Sequence, residues 1–325
     1  GWAYAVIAFE DEGGETSIAL EEGAMWLDDA LPGNFSLRGG KFLADFGKWN
    51  TIHVHDRAYA FMPGPSEEFF GGELNVSGLE LHHWFGVGDL PVRWSVGVAP
   101  QFGEESSDLG DVGMPQSSTE FSGEALGRRT PSQFLYTARV TAQHDVGLNG
   151  FFQWGLSAIH TPAGLAAPAD TNGDDLVDAQ MEASQTTVAL DLSVRLPDPA
   201  TRTAHAASVE LYANSREVWD EGSAALENRD ANGIWSDYEY SFNPEWSAGV
   251  YGAWWQAAAN DLGAEWFTGA EAASSRALFL TWHLSHFNRL RLQCAQESPL
   301  DAENSWTLVL QWTVILGNHA HPLDW

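Results

Sequence analysis

The chain has 325 residues, enough for two small domains or one large all-β unit. Its formal net charge is −30, from 15 Lys and Arg against 45 Asp and Glu, so nothing supplies the basic stripe that nucleic acid requires. One cysteine, Cys294, excludes an internal disulfide framework and a multi-cysteine metal site, and no apolar run is long enough for a membrane-spanning helix.

Period-two alternation organises the chain from its first residues. Strand-like segments fall at 1–10, 15–28, 35–47, 73–85, 91–102, 133–146 and 150–161, then at 185–196, 205–219, 233–243, 246–257, 274–287, 289–297 and 305–317. In the last, Trp306, Leu308, Leu310, Trp312, Val314 and Leu316 alternate with Thr307, Val309, Gln311, Thr313 and Ile315. Val92, Trp94, Val96 and Val98 alternate in the same way with Arg93, Ser95, Gly97 and Ala99. Most segments have the length that a tilted strand needs to cross a bilayer, about 9–11 residues or a little more. The chain opens directly in strand-like sequence with no signal peptide, which reads as a mature or trimmed product.

The connections alternate too. Those after the even-numbered segments are short, for example Pro32-Gly33-Asn34, 86–90 and 147–149. Long ones fall at 48–72, 103–132, 162–184, 220–232 and 258–273; the first hairpin is the exception, being short where the others are long. Sorting of this kind predicts an all-β chain: one domain over 1–325, a transmembrane antiparallel β-barrel of about 14 strands with short periplasmic turns and long extracellular loops. The expected location is the bacterial outer membrane, with lipid and lipopolysaccharide as surroundings and a homo-oligomer or surface partner as further candidates.

Orienting each segment by its apolar face sends Arg38, Arg93, Arg139, Arg195, Arg216, Arg289 and Arg291 to the inside, with Glu80, Asp191 and Glu210. These are the expected pore-lining residues. Two readings stand side by side: a ring of arginines favouring anions, or arginines paired with lumen carboxylates that brace the wall. Trp84, Phe85, Trp246, Phe287 and Trp306, near segment ends, fit interfacial girdles. Histidines gather at the short-turn rim, at His82, His83, His144, His205, His283, His286, His319 and His321.

Two segments offer metal chemistry. Asp170, Asn172, Asp174, the carbonyl of Leu176, and Asp178 place oxygen ligands at alternating positions, as a calcium loop does. Asp175 stands where that pattern wants glycine, and Glu182 comes one place late for the closing ligand. His53, His55 and Asp56 make a half-site for a transition metal, or an ordinary hydrogen-bonded loop. No cofactor is required. The chain holds no Gly-x-Ser-x-Gly elbow, phosphate loop or His-Glu-x-x-His motif, so no enzyme is expected.

Arg38-Gly39-Gly40-Lys41-Phe42 leads through Phe46-Gly47, Asn50 and His53-Val54-His55-Asp56 to Phe69-Phe70-Gly71-Gly72 and Gly78-Leu79-Glu80-Leu81. The chain closes with Leu316-Gly317-Asn318-His319-Ala320-His321-Pro322. These stretches resemble a group of little-characterised proteobacterial outer-membrane porin-like proteins, sometimes labelled zinc-regulated. The resemblance covers the first third and the last twenty residues or so, and implies an outer-membrane barrel with metal-linked physiology. Trp325 resembles the assembly signal of such barrels, although Pro322 interrupts the alternation of that last segment.

The expected function is therefore a porin-like channel for passive diffusion of small, anionic solutes, narrowed by the 48–72 segment with His53, Phe61, Pro63 and Pro65. The competing expectation is a structural or surface-anchoring barrel whose acidic loops bind calcium and bridge to lipopolysaccharide or a surface partner.

Overall fold

The computed structural model describes residues 1–325 except 13–14, 53–56, 62, 103–129, 148, 170–178, 221–222, 257–271, 286–287, 300–302 and 315–325. Fourteen strands follow one another: β1 (Trp2–Glu12), β2 (Glu15–Leu31), β3 (Phe35–Leu43), β4 (Asn75–Val87) and β5 (Leu90–Phe102) come first. After them run β6 (Leu135–Val146), β7 (Gly150–Ala169), β8 (Ala179–Asp198), β9 (Thr203–Asp220) and β10 (Ala225–Ser241). The series ends with β11 (Trp246–Gln256), β12 (Ala272–Ser285), β13 (Asn288–Ser298) and β14 (Ser305–Val314), and α1 (Gly64–Phe70) is a short helix between β3 and β4.

Each strand pairs with the next in a meander, and every pairing is antiparallel. Among the described residues no ladder joins β1 to β14. Trp306, Leu308, Leu310 and Trp312 on β14 are accordingly 68–72% exposed, well above their counterparts inside the sheet. The sheet nevertheless curls round on itself, because one loop leaving β3 touches β5, β7, β9 and β13 (below).

Burial is inverted relative to a water-soluble sandwich. Leu79, Val96, Leu156, Leu190, Leu211, Val250, Leu278 and Leu292 lie exposed on the outer face, whereas Glu80, Arg139, Asp191, Glu210, Arg291 and Gln293 are buried inside. A continuous apolar exterior of this extent has lipid, not water, as its natural solvent. Among the described residues no helix is long and apolar enough to cross a membrane.

The short-turn rim carries an outer belt of rings. Trp246 stacks on Trp282 at 5.5 Å, and His83 lies against Phe35 at 4.4 Å and Trp94 at 5.6 Å. His205 sits 4.8 Å from Tyr240. Three rim histidines, His83, His144 and His205, thus belong to this amphipathic girdle, with His144 6.3 Å from Phe152.

Two expectations change. The 162–184 and 220–232 connections are largely strand: Leu165↔Ala183 through Ala169↔Ala179 pair in a ribbon, and Ala225↔Asp220 through Asn232↔Ala213 pair in the next. Past the bilayer both faces of a ribbon meet water, so the one-sided apolar alternation disappears while the ladder continues. Trp84 also moves: it is paired with Arg93 and rests against His82, on the inner phase of β4 rather than in the lipid girdle.

Candidate functional site

The interior is organised around the described residues of the 44–74 segment, which turn inward from the β3–β4 end instead of out into water. Their composition explains this, since Phe46, Trp49, Tyr59, Phe69, Phe70 and Leu74 would leave a large apolar surface wet. At the neck, Ala44 N–H donates to the Leu74 carbonyl at 2.9 Å. The Asn50 side chain clasps both edges, donating to Ala44 O at 2.8 Å and accepting from Leu74 N at 2.7 Å.

Beside the neck lies a belt of paired charge. Asp45 accepts from Arg93 at 2.9 Å and Ser95 at 2.6 Å, with Arg139 at 3.5 Å, and its own N–H donates to Glu80 at 3.1 Å. Glu80 in turn pairs with Arg38 and with His82, each at 2.6 Å. Arg139 bridges Asp191 at 2.9 Å and donates to Ser157 at 2.8 Å. Gly155 leaves room for that bridge: a Cβ there would stand 2.3 Å from the Asp191 carboxylate. Burial alone would push the Asp45 carboxyl up, but the guanidiniums of Arg93 and then Arg139 outweigh it and hold the group well below the usual carboxylate range.

The loop then crosses to the far wall. Gly47 N–H donates to Ser157 on β7 at 3.0 Å, and Trp49 N–H to Glu210 on β9 at 3.2 Å. Trp49 stacks on Tyr59 at 4.7 Å and meets Trp235 of β10 edge-on at 5.5 Å, while Tyr59 lies 4.3 Å from Tyr251 of β11. Arg57 covers the Trp49 ring at 4.4 Å and pairs with Glu73. On β13, Gln293 accepts from Ala60 N–H at 2.8 Å and Arg291 donates to the Arg57 carbonyl at 2.6 Å. Helix α1 closes the crossing: Phe69 O accepts from Gln185 of β8 at 3.2 Å, and Ser66 meets the Tyr212 hydroxyl of β9 at 3.2 Å.

One position tests the seating of this loop directly. Gly47 has φ +58, and a Cβ on it would stand 1.7 Å from a Glu210 oxygen. Gly47→Val must both strain the backbone and push Glu210 off the Trp49 N–H, so a loss of about 1–3 kcal/mol is expected in denaturant unfolding of the detergent-folded protein. New protease cleavage within 44–74 should accompany it; an unchanged midpoint and cleavage pattern would contradict the seating described.

Of the sequence-derived interior residues, Arg38, Arg93, Arg139, Glu80, Asp191 and Glu210 converge on this one region. Arg216 is buried within the wall, and Arg291 is held by Arg57 O, by Gln311 at 2.9 Å and by Thr281 at 3.3 Å. Arg195 is exposed at the turn end and Arg289 half-buried beside it. The arginines face inward, and of the two readings of that face Arg38, Arg93 and Arg139 follow the second, each being paired with a carboxylate. His53, His55 and Asp56, and the Asp170, Asn172, Asp174, Leu176, Asp178 loop, lie outside the described residues.

Asp45, Glu80 and His82 bring ligand atoms within 4.8 Å of one another. They do not suit a divalent cation, because Arg38, Arg93 and Arg139 already neutralise the carboxylates and would repel it. Sequence misses Asp45 and Asn50 as site residues, for which the signal is the density of aromatics between Phe46 and Phe70, too apolar for a solvated loop; alternation puts Gln185 and Gln293 on the inner phase with Asp191 and Arg291 but gives no sign that they tether a loop.

No protein-family model matches the chain. An uncharacterized protein of Aquifex aeolicus (strain VF5) is 26% identical over 144 residues, 44% of this chain and 28% of that protein, so the match spans little more than a quarter of that relative. OprB of Pseudomonas putida superposes with a TM-score of 0.58 at 13% identity, over 92% of this chain and 73% of its own. The outer membrane channel DcaP of Acinetobacter baumannii gives 0.55 at 10% identity, over 96% and 79%. A loop L8 deletion mutant of OmpT, an outer membrane protein of Vibrio cholerae, gives 0.52 at 10% identity, over 94% and 83%. At these identities the likeness is one of architecture, and on it the chain has the fold of the porin-like outer-membrane β-barrels.

Proposed function

We propose that the protein is a passive channel of the outer membrane for small solutes, with its bore set by residues 44–74. The observation that carries this reading is the tethering of that loop across the interior, from Asp45 beside β5 to Gln293 on β13, which narrows the lumen at one level. A barrel built only as a wall has no use for a constriction tied down at so many points. The likeness in fold to DcaP, described as an outer membrane channel, supports the same reading.

Anion preference, the finer expectation, would have to act through free guanidiniums, and at the belt Arg38, Arg93 and Arg139 are each matched by a carboxylate. The geometry therefore favours weak charge selectivity. Purified protein in a planar bilayer should give stable current steps with a reversal potential close to zero under a salt gradient. Silent insertion would overturn the channel reading.

That outcome would promote a second reading, a barrel anchored to lipopolysaccharide or a surface partner through calcium. The observation favouring it is the same loop, whose tethers at β5, β7, β9 and β13 would equally suit a closed interior. The acidic segment 170–178 joins the paired ends of β7 and β8 and is where the ion would bind.

A further inference from the structure

On the short-turn side of the ion-pair belt, the inner wall carries a row of indoles that the loop does not cover. Strand register puts them on one face: Trp2 pairs with Trp26, Trp26 with Arg38, Arg38 with Glu80, and Trp84 with Arg93. Glu80, Arg38 and Arg93 all point inward to the belt, so their register partners do too. Trp2 and Trp26 are near-parallel, with centroids 6.2 Å apart and an interplanar angle of 14°. Trp84 follows 6.3 Å from Trp26 with its ring tilted by 56°, and His82 lies between them at 4.6 Å from Trp26 and 5.7 Å from Trp84. Trp2 is 49% exposed, and Trp26 and Trp84 are half-buried, unlike the Trp49 and Trp235 rings sealed under the loop.

Three tryptophans from three strands on the inner side of a lipid-embedded sheet have no membrane interface to anchor. We propose that Trp2 and Trp26, with Trp84 tilted at their side, form a stacking platform for the ring of a neutral pyranose sugar, a substrate class that rests on the channel reading above. The C–H face of a pyranose is apolar and slightly positive, which matches the negative face of an indole. Arg38 lies over part of the Trp26 ring, 5.7 Å from its centroid, and Arg93 is the register partner of Trp84, with 13% and 21% of their side chains exposed. Their remaining N–H groups can donate to ring hydroxyls. Their charges are already matched by Glu80 and Asp45, so an anion gains little there and a neutral polyol loses nothing. A planar aromatic solute would stack as well but would leave those donors unused.

Saturation-transfer NMR of the full chain folded in detergent, with maltose as probe, reads binding without requiring current; maltose block of the bilayer current reads it in transit. Transfer concentrated on the sugar C–H protons is expected. Trp26→Ala should weaken binding about tenfold, the upper value of one aromatic contact, with Trp26→Tyr recovering most of it. Should Trp26→Ala fail to fold, Trp84→Ala carries the same expectation. No transfer to maltose, equal transfer in the alanine variants, or preference for phenylalanine over maltose would each overturn the platform. Binding by a protein that inserts silently would sink the channel and keep the platform; current with no binding would do the reverse.

Discussion

Excising residues 46–72 and closing the gap with a short glycine-serine turn is expected to raise single-channel conductance severalfold while leaving the strand content unchanged. The removed segment places Phe46, Trp49, Tyr59, Phe69 and Phe70 in the interior, all of them buried. At about 1.5–3 kcal/mol for each fully buried large apolar side chain, the loop contributes substantially to stability, so the thermal midpoint should fall as the bore widens. The wall itself persists because its ladders run strand to strand and none passes through the loop. Circular dichroism checks the strands and planar-bilayer recording checks the bore. Unchanged conductance in a folded variant would mean that the narrowest point lies elsewhere.

The second large effect concerns Arg139. It is the joint between two carboxylates, Asp191 at 2.9 Å and Asp45 at 3.5 Å, both essentially without solvent contact. Arg139→Ala leaves the Asp191 carboxylate buried with no cation paired to it among the described residues, and a loss of about 3–5 kcal/mol is expected in urea unfolding followed by tryptophan emission. Asp191→Ala alone should cost less, since Arg139 retains Asp45 and Ser157. The double variant should recover part of the loss, giving a coupling of about 1–3 kcal/mol between the two sites. An Arg139→Ala protein within about 0.5 kcal/mol of the parent, the range of an ordinary surface change, would show that water reaches the belt and that the pairs are weak.

How much of this is legible in the sequence follows from which solvent each residue meets. In the bilayer one face of a strand meets lipid and the other meets polar lumen, so alternation is strict; all fourteen strands are visible in it, from Trp2–Glu12 to Ser305–Val314. Where β7, β8 and β10 leave the bilayer the constraint lapses, and a stretch such as Leu165-Ala166-Ala167-Pro168-Ala169 reads as loop although it lies in the β7–β8 ladder. The inner-facing identity of Arg38, Arg93, Arg139, Glu80, Asp191 and Glu210 is legible for the same reason as the strands. Glu80 and Asp191, the partners of Arg38 and Arg139, are thus legible too, but the partner of Arg93 is not. Asp45 sits on a loop, and nothing in period two says that a loop will fold inward and deliver a carboxylate to Arg93. Trp84 is misassigned by sequence because it stands at a strand end, as girdle tryptophans do, although it shares the phase of Glu80, and its register with Arg93 agrees with that inner phase.

The loop's anchors also bear on how the molecule is made. Gly47 meets Ser157, Trp49 meets Glu210, and Ala60 meets Gln293, sequence separations of 110, 161 and 233 residues. Contacts between such distant parts of a chain form late and slowly, because loop-closure entropy must be met before they contribute anything. Hairpins of the wall, by contrast, zip between immediate neighbours. The interior is thus the last region to become ordered, and until β9, β10 and β11 are in place the aromatic rings of the loop lack the walls they pack on. For a chain that must cross an aqueous compartment before it reaches lipid, those rings are the part most in need of a chaperone's cover.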